Sequence, residues 1–396
     1  MNEETVKESK SNKKPLIYIS VAIVIIGSLV FCWWFFYSRF YVNTEDAYVS
    51  GNQVTITSQI QGVIVSVNID NTQMIEKGQT IIELDKTDRE IEFDRSKSNL
   101  GAVVRNVTGM FENVLLLKDK YKAQHFEVLK MEIDYIDRKS IVDTGAVSDE
   151  EFFHSEANYL SSKAALDVIK HEFMRALSQV QNTTITTHPL TNIAKEELIQ
   201  AWVNLQRCTI KAPVTGMVAQ RRAQVGEYID QNTPLMAIVP LNQMWVDANF
   251  KETQLSKIRI GQIVKMSSDI YGGGVIYSGE VIGIGGGSGA VFSPLPPQNA
   301  TGNWIKIVQR IPVRVNINQN QLTKYPLRLG LSMDVNVKVD DMSGKIVPDI
   351  NSDKALYTTN IFDSQRSAAN GIIEEIFMQN ITFDISNEIN GSLCPM

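Results

Sequence analysis

Cysteine and histidine are scarce: three cysteines (Cys32, Cys208, Cys394) and four histidines (His125, His154, His171, His188) in 396 residues. No two of the seven stand at a metal-ligand spacing, which argues against a Cys/His zinc site. Cys32 falls in a long apolar run, so only one intrachain pair is left and a disulfide framework is excluded. Positive charge is short as well. Lys and Arg total 38 against 44 Asp and Glu, a net charge of −6, so the chain lacks the basic surface that coats nucleic acid. Hydrophobic residues make up 43% and charged residues 21%, too apolar for a disordered chain. Long uncharged apolar runs are rare too, and the single one decides the class.

That run is Leu16 to Tyr37. At ~1.5 Å per residue it reaches about 33 Å, enough for a ~30 Å hydrocarbon core. It ends in Phe31, Trp33, Trp34, Phe35, Phe36 and Tyr37, an aromatic belt of the membrane–water boundary. Lys10, Lys13 and Lys14 precede it and Arg39 follows. The positive-inside rule puts residues 1–15 in the cytoplasm, 16–37 across the membrane as one helix, and the rest on the far side. Bulky aromatics stand where a signal peptide needs small residues, so the anchor is expected to be retained.

Downstream, residues 61–85 repeat as 215–239 at an offset of 154 residues without a gap. Gly62 falls on Gly216, Ile64 on Val218, Ile75 on Ile229, Ile81 on Leu235 and Leu84 on Ile238. Each copy reads as strand, turn, strand. A copy of ~25 residues is too small to bury its own apolar face, so the two should pack as one sandwich, 61–85 with 209–240. Gly62 and Gly216 are expected where close strand packing excludes a side chain. The pattern resembles a lipoyl/biotinyl domain cut in two. Lys86, in Glu83-Leu84-Asp85-Lys86, is the position a carrier would lipoylate or biotinylate. Thr87-Asp88-Arg89-Glu90 instead reads as a capping box opening a helix, where a carrier needs a tight hairpin.

Residues 86–208 between the copies read as a helical hairpin. No proline interrupts 88–138, and apolar residues from Leu100 to Ile136 recur at spacings of three, four or seven. Thr144-Gly145-Ala146-Val147 is the break, and Ser148 with Glu151 caps the return. The returning seam is read as Phe153, Ala157, Leu160, Ala164, Val168, His171, Met174 and Leu177, with His171 a packed residue. After Pro189 a third segment, Thr191 to about Arg207, puts Ile193, Leu198, Trp202 and Leu205 on one face.

Residues 41–60 are read as strands leading into a β-barrel whose body is 241–340, where short β runs alternate with Gly, Pro and Asn. Gly283 to Gly289 lacks both G-x-G-x-x-G and a P-loop Lys, so it reads as a loop. Residues 341–396 lose periodicity and read as a weakly ordered tail. The fold class expected is multidomain α + β: a transmembrane helix, a split lipoyl-like sandwich interrupted by a coiled-coil hairpin, and an antiparallel barrel.

These parts in this order resemble a membrane fusion protein, or periplasmic adaptor, of the HlyD/EmrA family. The strings that carry the resemblance are Thr44-Glu45-Asp46-Ala47-Tyr48-Val49, Met244 to Gln254, and Gln298 to Lys306 running into Val308 to Arg314. The resemblance implies an adaptor in a tripartite multidrug efflux pump, in the inner membrane of a Gram-negative bacterium. Its implied partners are a major-facilitator transporter, a TolC-like outer-membrane channel, further copies of itself as a trimer or hexamer, and inner-membrane lipid. Such adaptors dock the channel through the hairpin tip, here Arg138, Val142, Thr144, Gly145, Ala146, Val147 and Ser148. Val142 stands where the family often carries Leu. No catalytic, cofactor or metal site is expected, and no enzymatic activity. An adaptor of an ABC-type protein or peptide exporter is the alternative with the same fold, and a lipoyl or biotin carrier the alternative of another class.

Overall fold

The structure, a computed structural model, describes residues 14–36, 38–292, 308–349 and 353–381. The basic N-terminal residues up to Lys13, the string Gln298 to Lys306 and Cys394 lie outside them. The chain opens with α1 (Lys14–Phe36), whose side chains from Ile19 to Phe31 are mostly more than half exposed. Arg39, just after it, stacks its guanidinium on the Phe35 and Phe40 rings at 4.6 and 4.7 Å.

Strands β1 (Tyr41–Thr44), β2 (Ala47–Gly51), β3 (Val54–Thr57), β4 (Gly62–Val67), β5 (Met74–Ile75) and β6 (Thr80–Leu84) follow. Helices α2 (Thr87–Ile141), α3 (Asp149–Val180) and α4 (Pro189–Arg207) form the insert. Then come β7 (Thr209–Lys211), β8 (Gly216–Ala219), β9 (Tyr228–Ile229) and β10 (Pro234–Val239). The second β region holds β11 (Met244–Lys251), α5 (Glu252–Leu255), β12 (Ile263–Ser267), β13 (Ile276–Ile284), β14 (Arg310–Ile317), α6 (Gln319–Lys324) and β15 (Asp334–Lys338). Helix α7 (Asp363–Asn380) closes the described chain.

The repeat folds into two four-stranded sheets, β3-β10-β8-β5 and β7-β6-β4-β9. Moving every strand by the repeat offset turns one sheet into the other, so each mixes strands from both copies. The turns obey the same exchange. Thr72 N–H donates to Val218 O at 2.9 Å, and Gly226 N–H, its counterpart, to Ile64 O at 2.8 Å. Thr72, Gly78, Gly226 and Asn232 all have positive φ, which is costly for Thr72 and cheap for glycine. Between the sheets Ile64, Ile75, Ile81, Ile82, Leu84, Ile229, Leu235 and Ile238 are at most 2% exposed. β3 joins this unit rather than the second β region, a correction to the expectation for 41–60. Its Ile56, with Ile60 just beyond, points into the core of the two-sheet unit.

The second β region is one curled antiparallel sheet, β1-β15-β12-β13-β14-β11-β2. Its two edges, β1 and β2, are consecutive in the chain. Val49 N–H donates to Leu331 O and Met333 N–H to Ala47 O, both at 2.9 Å, tying β2 to the segment before β15. Alternate residues line the core, among them Val246, Ala248, Phe250, Val313, Val315 and Val337. Tyr277 is fully buried there, its hydroxyl donates to Tyr325 O at 3.0 Å, and burial pushes its pKa up to about 12. Gly283 belongs to β13, not to a loop.

Three further expectations are corrected. The Thr87/Glu90 capping box does not form. Asp85 takes the Thr87 N–H at 3.0 Å and its hydroxyl at 2.8 Å, and these two bonds hold the Asp85 carboxyl below its ordinary pKa. The chain from 341 is not structureless throughout, because α7 buries Ala369, Ile373 and Ile376 against α2 and α4. Its apolar positions recur at helical spacing. The packed face of α4 is Thr191, Ala194, Leu198 and Ala201, and Ile193 is 59% exposed.

Candidate functional site

The insert runs α2 outward and α3 back. At ~1.5 Å per residue the 55 residues of α2 reach about 80 Å. Near the β unit α2 is enclosed. Leu100, Val104, Val107, Phe111, Val114 and Leu117 pack against α3, α4 and α7.

Beyond Leu117 only α3 remains as partner, and the seam between them is aromatic and polar. Tyr135 stacks on Phe152 and Tyr159 at 5.8 and 5.6 Å. The Tyr159 hydroxyl donates to Glu132 at 3.1 Å, which raises the phenol pKa. The inward residues of α3 include Phe152, Ser155, Tyr159, Ser162, Phe173 and Leu177. Of those expected inward Leu177 is buried, but Phe153 at 64%, Leu160 at 56% and Val168 at 59% face outward, with Ala157, Ala164, His171 and Met174 exposed as well. α3 carries two apolar stripes at helical spacing, and periodicity alone does not choose between them. The packed histidine is His188, whose ring bonds Gln179 O and caps α4 through Leu190 N–H. On α2, Phe126, Leu129, Ile133 and Ile136 form a second exposed stripe. The bonds from Tyr159 to Glu132 and from Gln124 to Ser162 O put both stripes at one height.

The tip gathers the seven sequence-derived residues. α2 gives way to a short 3-10 turn, Val142–Thr144, and Gly145 stops it in the left-handed region, φ 76°. Only glycine adopts that conformation without strain, the usual helix C-terminal signal. Ser148 then caps α3. Its hydroxyl accepts from Glu151 N–H, and the Glu151 carboxylate accepts from Ser148 N–H and hydroxyl. Those bonds hold the Glu151 pKa below its usual value, helped by the charge of Arg138. Arg138 itself bonds Asp134 at 3.0 Å. Thr144, Gly145, Ala146 and Ser148 are exposed; Val142 and Val147 are half-buried.

Gly62 and Gly216 sit at matched places in the repeat but differ in room. A Cβ on Gly216 would lie 2.5 Å from Val239 O, whereas one on Gly62 would meet only Leu84 at 3.7 Å. The expectation of a forbidden side chain is therefore corrected for Gly62. β10 continues to Val239, over Gly216, while β6 ends at Leu84 and the chain leaves for α2. Among the described residues no three His, Cys, Asp or Glu side chains gather as a metal site. Lys86 lies beside Glu83 at 3.7 Å at the start of α2.

A family model described as "EMRA, alpha-helical hairpin domain" matches residues 87–208. The "Multidrug export protein EmrA" of Haemophilus influenzae is 38% identical over 377 residues, covering 95% of this chain and 97% of that protein. The Escherichia coli K12 protein of the same name is 36% identical over 378 residues, covering 96% and 97%. A solved "periplasmic adaptor protein EmrA" matches 76% of this chain and 99% of its own at 19% identity, with a TM-score of 0.38, too loose a likeness to argue from.

Proposed function

Since the chain belongs to the EmrA family of multidrug export proteins, we propose that it couples an inner-membrane major-facilitator transporter to a TolC-like outer-membrane channel, docking the channel through its hairpin tip. It is a membrane fusion adaptor of multidrug efflux, and the reading gives it no catalytic step. The observation that carries the docking is the tip itself. Small and polar side chains stand exposed at the far end of α2, a helix about 80 Å long, on a turn fixed by Gly145 and the Ser148/Glu151 box.

The rest of the molecule takes its place around that tip. α1 is 23 residues, about 35 Å, and its apolar side chains from Ile19 to Phe31 are mostly more than half exposed. On this reading it spans the inner membrane once, with the N-terminus cytoplasmic and the body periplasmic. The curled sheet, both of whose edges come from residues 41–51, is read as a closed barrel above that anchor. The exposed stripes on α2 and α3 support self-association, a stripe of one copy lying on the other stripe of the next.

Ala146→Asp tests the docking. Exposed in the free chain, the charge should change stability by less than about 0.5 kcal/mol. Against a channel it would be desolvated without a partner, an expensive burial. Expression, melting temperature and copurification with the transporter should stay as in the parent while drug resistance is lost. Full resistance from Ala146→Asp would refute tip docking.

A further inference from the structure

We propose that α7, with the segment leading to it, is a detachable strap that sets the angle between the hairpin and the two-sheet unit. The joint between those two bodies has two direct connections, Asp85-Lys86 from β6 into α2 and Cys208 from α4 into β7. They lie side by side: Leu84 N–H donates to Cys208 O at 2.8 Å, and Glu83 pairs with Thr209. Two short links side by side define a hinge line and leave the tilt about it open. A third support away from that line fixes the tilt. With α2 about 80 Å long, a tilt of about 10° at the joint moves the tip by roughly 14 Å.

α7 supplies the third support. It lies along α2 and α4, and its start crosses the joint. On the β side the Thr359 hydroxyl donates to Pro213 O at 2.9 Å, just after β7. On the hairpin side the Trp202 indole N–H donates to Gln365 O at 3.0 Å, and Arg366 pairs with Glu196 at 2.9 Å. The far end of α7 is tied to α2, where Arg105 bonds Asn380 and a Cβ on Gly101 would meet the Asn380 amide at 3.5 Å. A cavity of about 300 Å³ lies beneath the first turns of α7, walled by β3, the end of α4 and β7. The helix therefore spans the joint without packing into it.

The strap can come away without unfolding what it rests on. Of the 18 residues of α7 three are buried, Ala369, Ile373 and Ile376. Arg366 and Glu196 are both exposed, and an exposed ion pair holds little. The segment leading to α7 is fastened to the loop before β12, where Ile260 N–H donates to Lys345 O at 2.9 Å and the Gln262 amide to Asp341 O at 2.7 Å. Beyond that, residues 346–349 and 353–360 are exposed throughout. A helix with few buried contacts on an exposed lead opens locally, ahead of the core beneath it. Docked, α7 holds the hairpin at one angle; undocked, it leaves the hairpin free to tilt on Asp85 and Cys208. What that tilt does at a channel rests on the tip-docking reading, whereas the strap itself does not.

Double electron–electron resonance on the full chain in lipid nanodiscs tests it. Cys32 and Cys394 are replaced by Ser, and Cys208 is buried and takes no label. Spin labels at Glu112→Cys on α2 and Glu76→Cys between β5 and β6, both exposed positions, read the tilt. Dilution with unlabelled chain restricts the reading to single copies. The parent should give one narrow distance distribution. Ala369→Glu, which puts a carboxylate at a fully buried position, should release α7 and widen that distribution about twofold or more. In the parent, amides of α7 should be at least about tenfold less protected from exchange than those from Leu100 to Leu117. Arg366→Glu, which sets two carboxylates against each other, should also widen the distribution, and adding Glu196→Arg should narrow it again. If Ala369→Glu unfolds the hairpin, Arg366→Glu and its rescue decide. Equal widths in parent and variants, α7 exchanging only together with Leu100 to Leu117, or a Glu196→Arg partner that restores nothing would each overturn the proposal. Ala146→Asp, which breaks docking, should leave the distribution as in the parent, so the two readings fail separately.

Discussion

The two ends of the hairpin are made of the same helices and obey different rules. At the base, α2 is enclosed by α3, α4 and α7, and six successive seam residues from Leu100 to Leu117 are at most 9% exposed. In the distal half only Val128 of α2 and Ser155 of α3 are buried, while Phe126, Ile133, Ile136, Phe153 and Leu160 stand more than half exposed. The base therefore carries the stability of the insert. The distal half keeps apolar surface that its own chain does not cover, as an element that meets partners must.

The contrast breaks or sharpens under substitution. Phe111→Ala at the base should cost about 3–5 kcal/mol, the usual result of emptying a buried aromatic site. Ile133→Ala, a similar truncation at 52% exposure, should cost less than about 0.5 kcal/mol. Equal losses in urea unfolding would erase the distinction. A smaller effect separates the repeat copies in the β unit beneath. Gly216→Val should destabilise by about 1–3 kcal/mol through overpacking against Val239 O, and Gly62→Val by clearly less. Matching melting temperatures would count against the register described. Smaller again, Ser148→Ala should loosen the first turn of α3 by about 0.5–2 kcal/mol, seen as faster amide exchange at the tip and not at the base. The Glu151 side of that box has a pH signature. Its folded pKa is depressed, so its contribution is complete above the unfolded value of about 4.3 and fades as pH falls through the lower folded value. Tip exchange that stayed constant across that window would show the box to be idle.

Different parts of this architecture were legible to different depths. The two-sheet unit could be read because its signal is a register: one offset aligns Ile64, Ile75, Ile81 and Leu84 with buried partners, and even the positive-φ turns correspond. The Ser148/Glu151 box is local chemistry and appears where its spacing put it. The Thr87 box had the same spacing and lost to Asp85, a nearer acceptor. The seam of α3 was misread because two apolar stripes share its helical period; only α2 selects the one with Tyr159 and Phe173. The missed α7 has a weak apolar face that acquires meaning from α2 and α4, far away in sequence. The tip turn was readable from Gly145 and Ser148, both local signals.

Site-directed crosslinking tests the central claim most directly. Single cysteines at Thr144 or Ser148, exposed at the tip, should crosslink to the outer-membrane channel in cells expressing the whole pump. Cysteines at Asp88 or Lys195, by the β unit, should not. Crosslinks from Asp88 or Lys195 with none from Thr144 or Ser148 would reverse the polarity of the molecule and contradict the account.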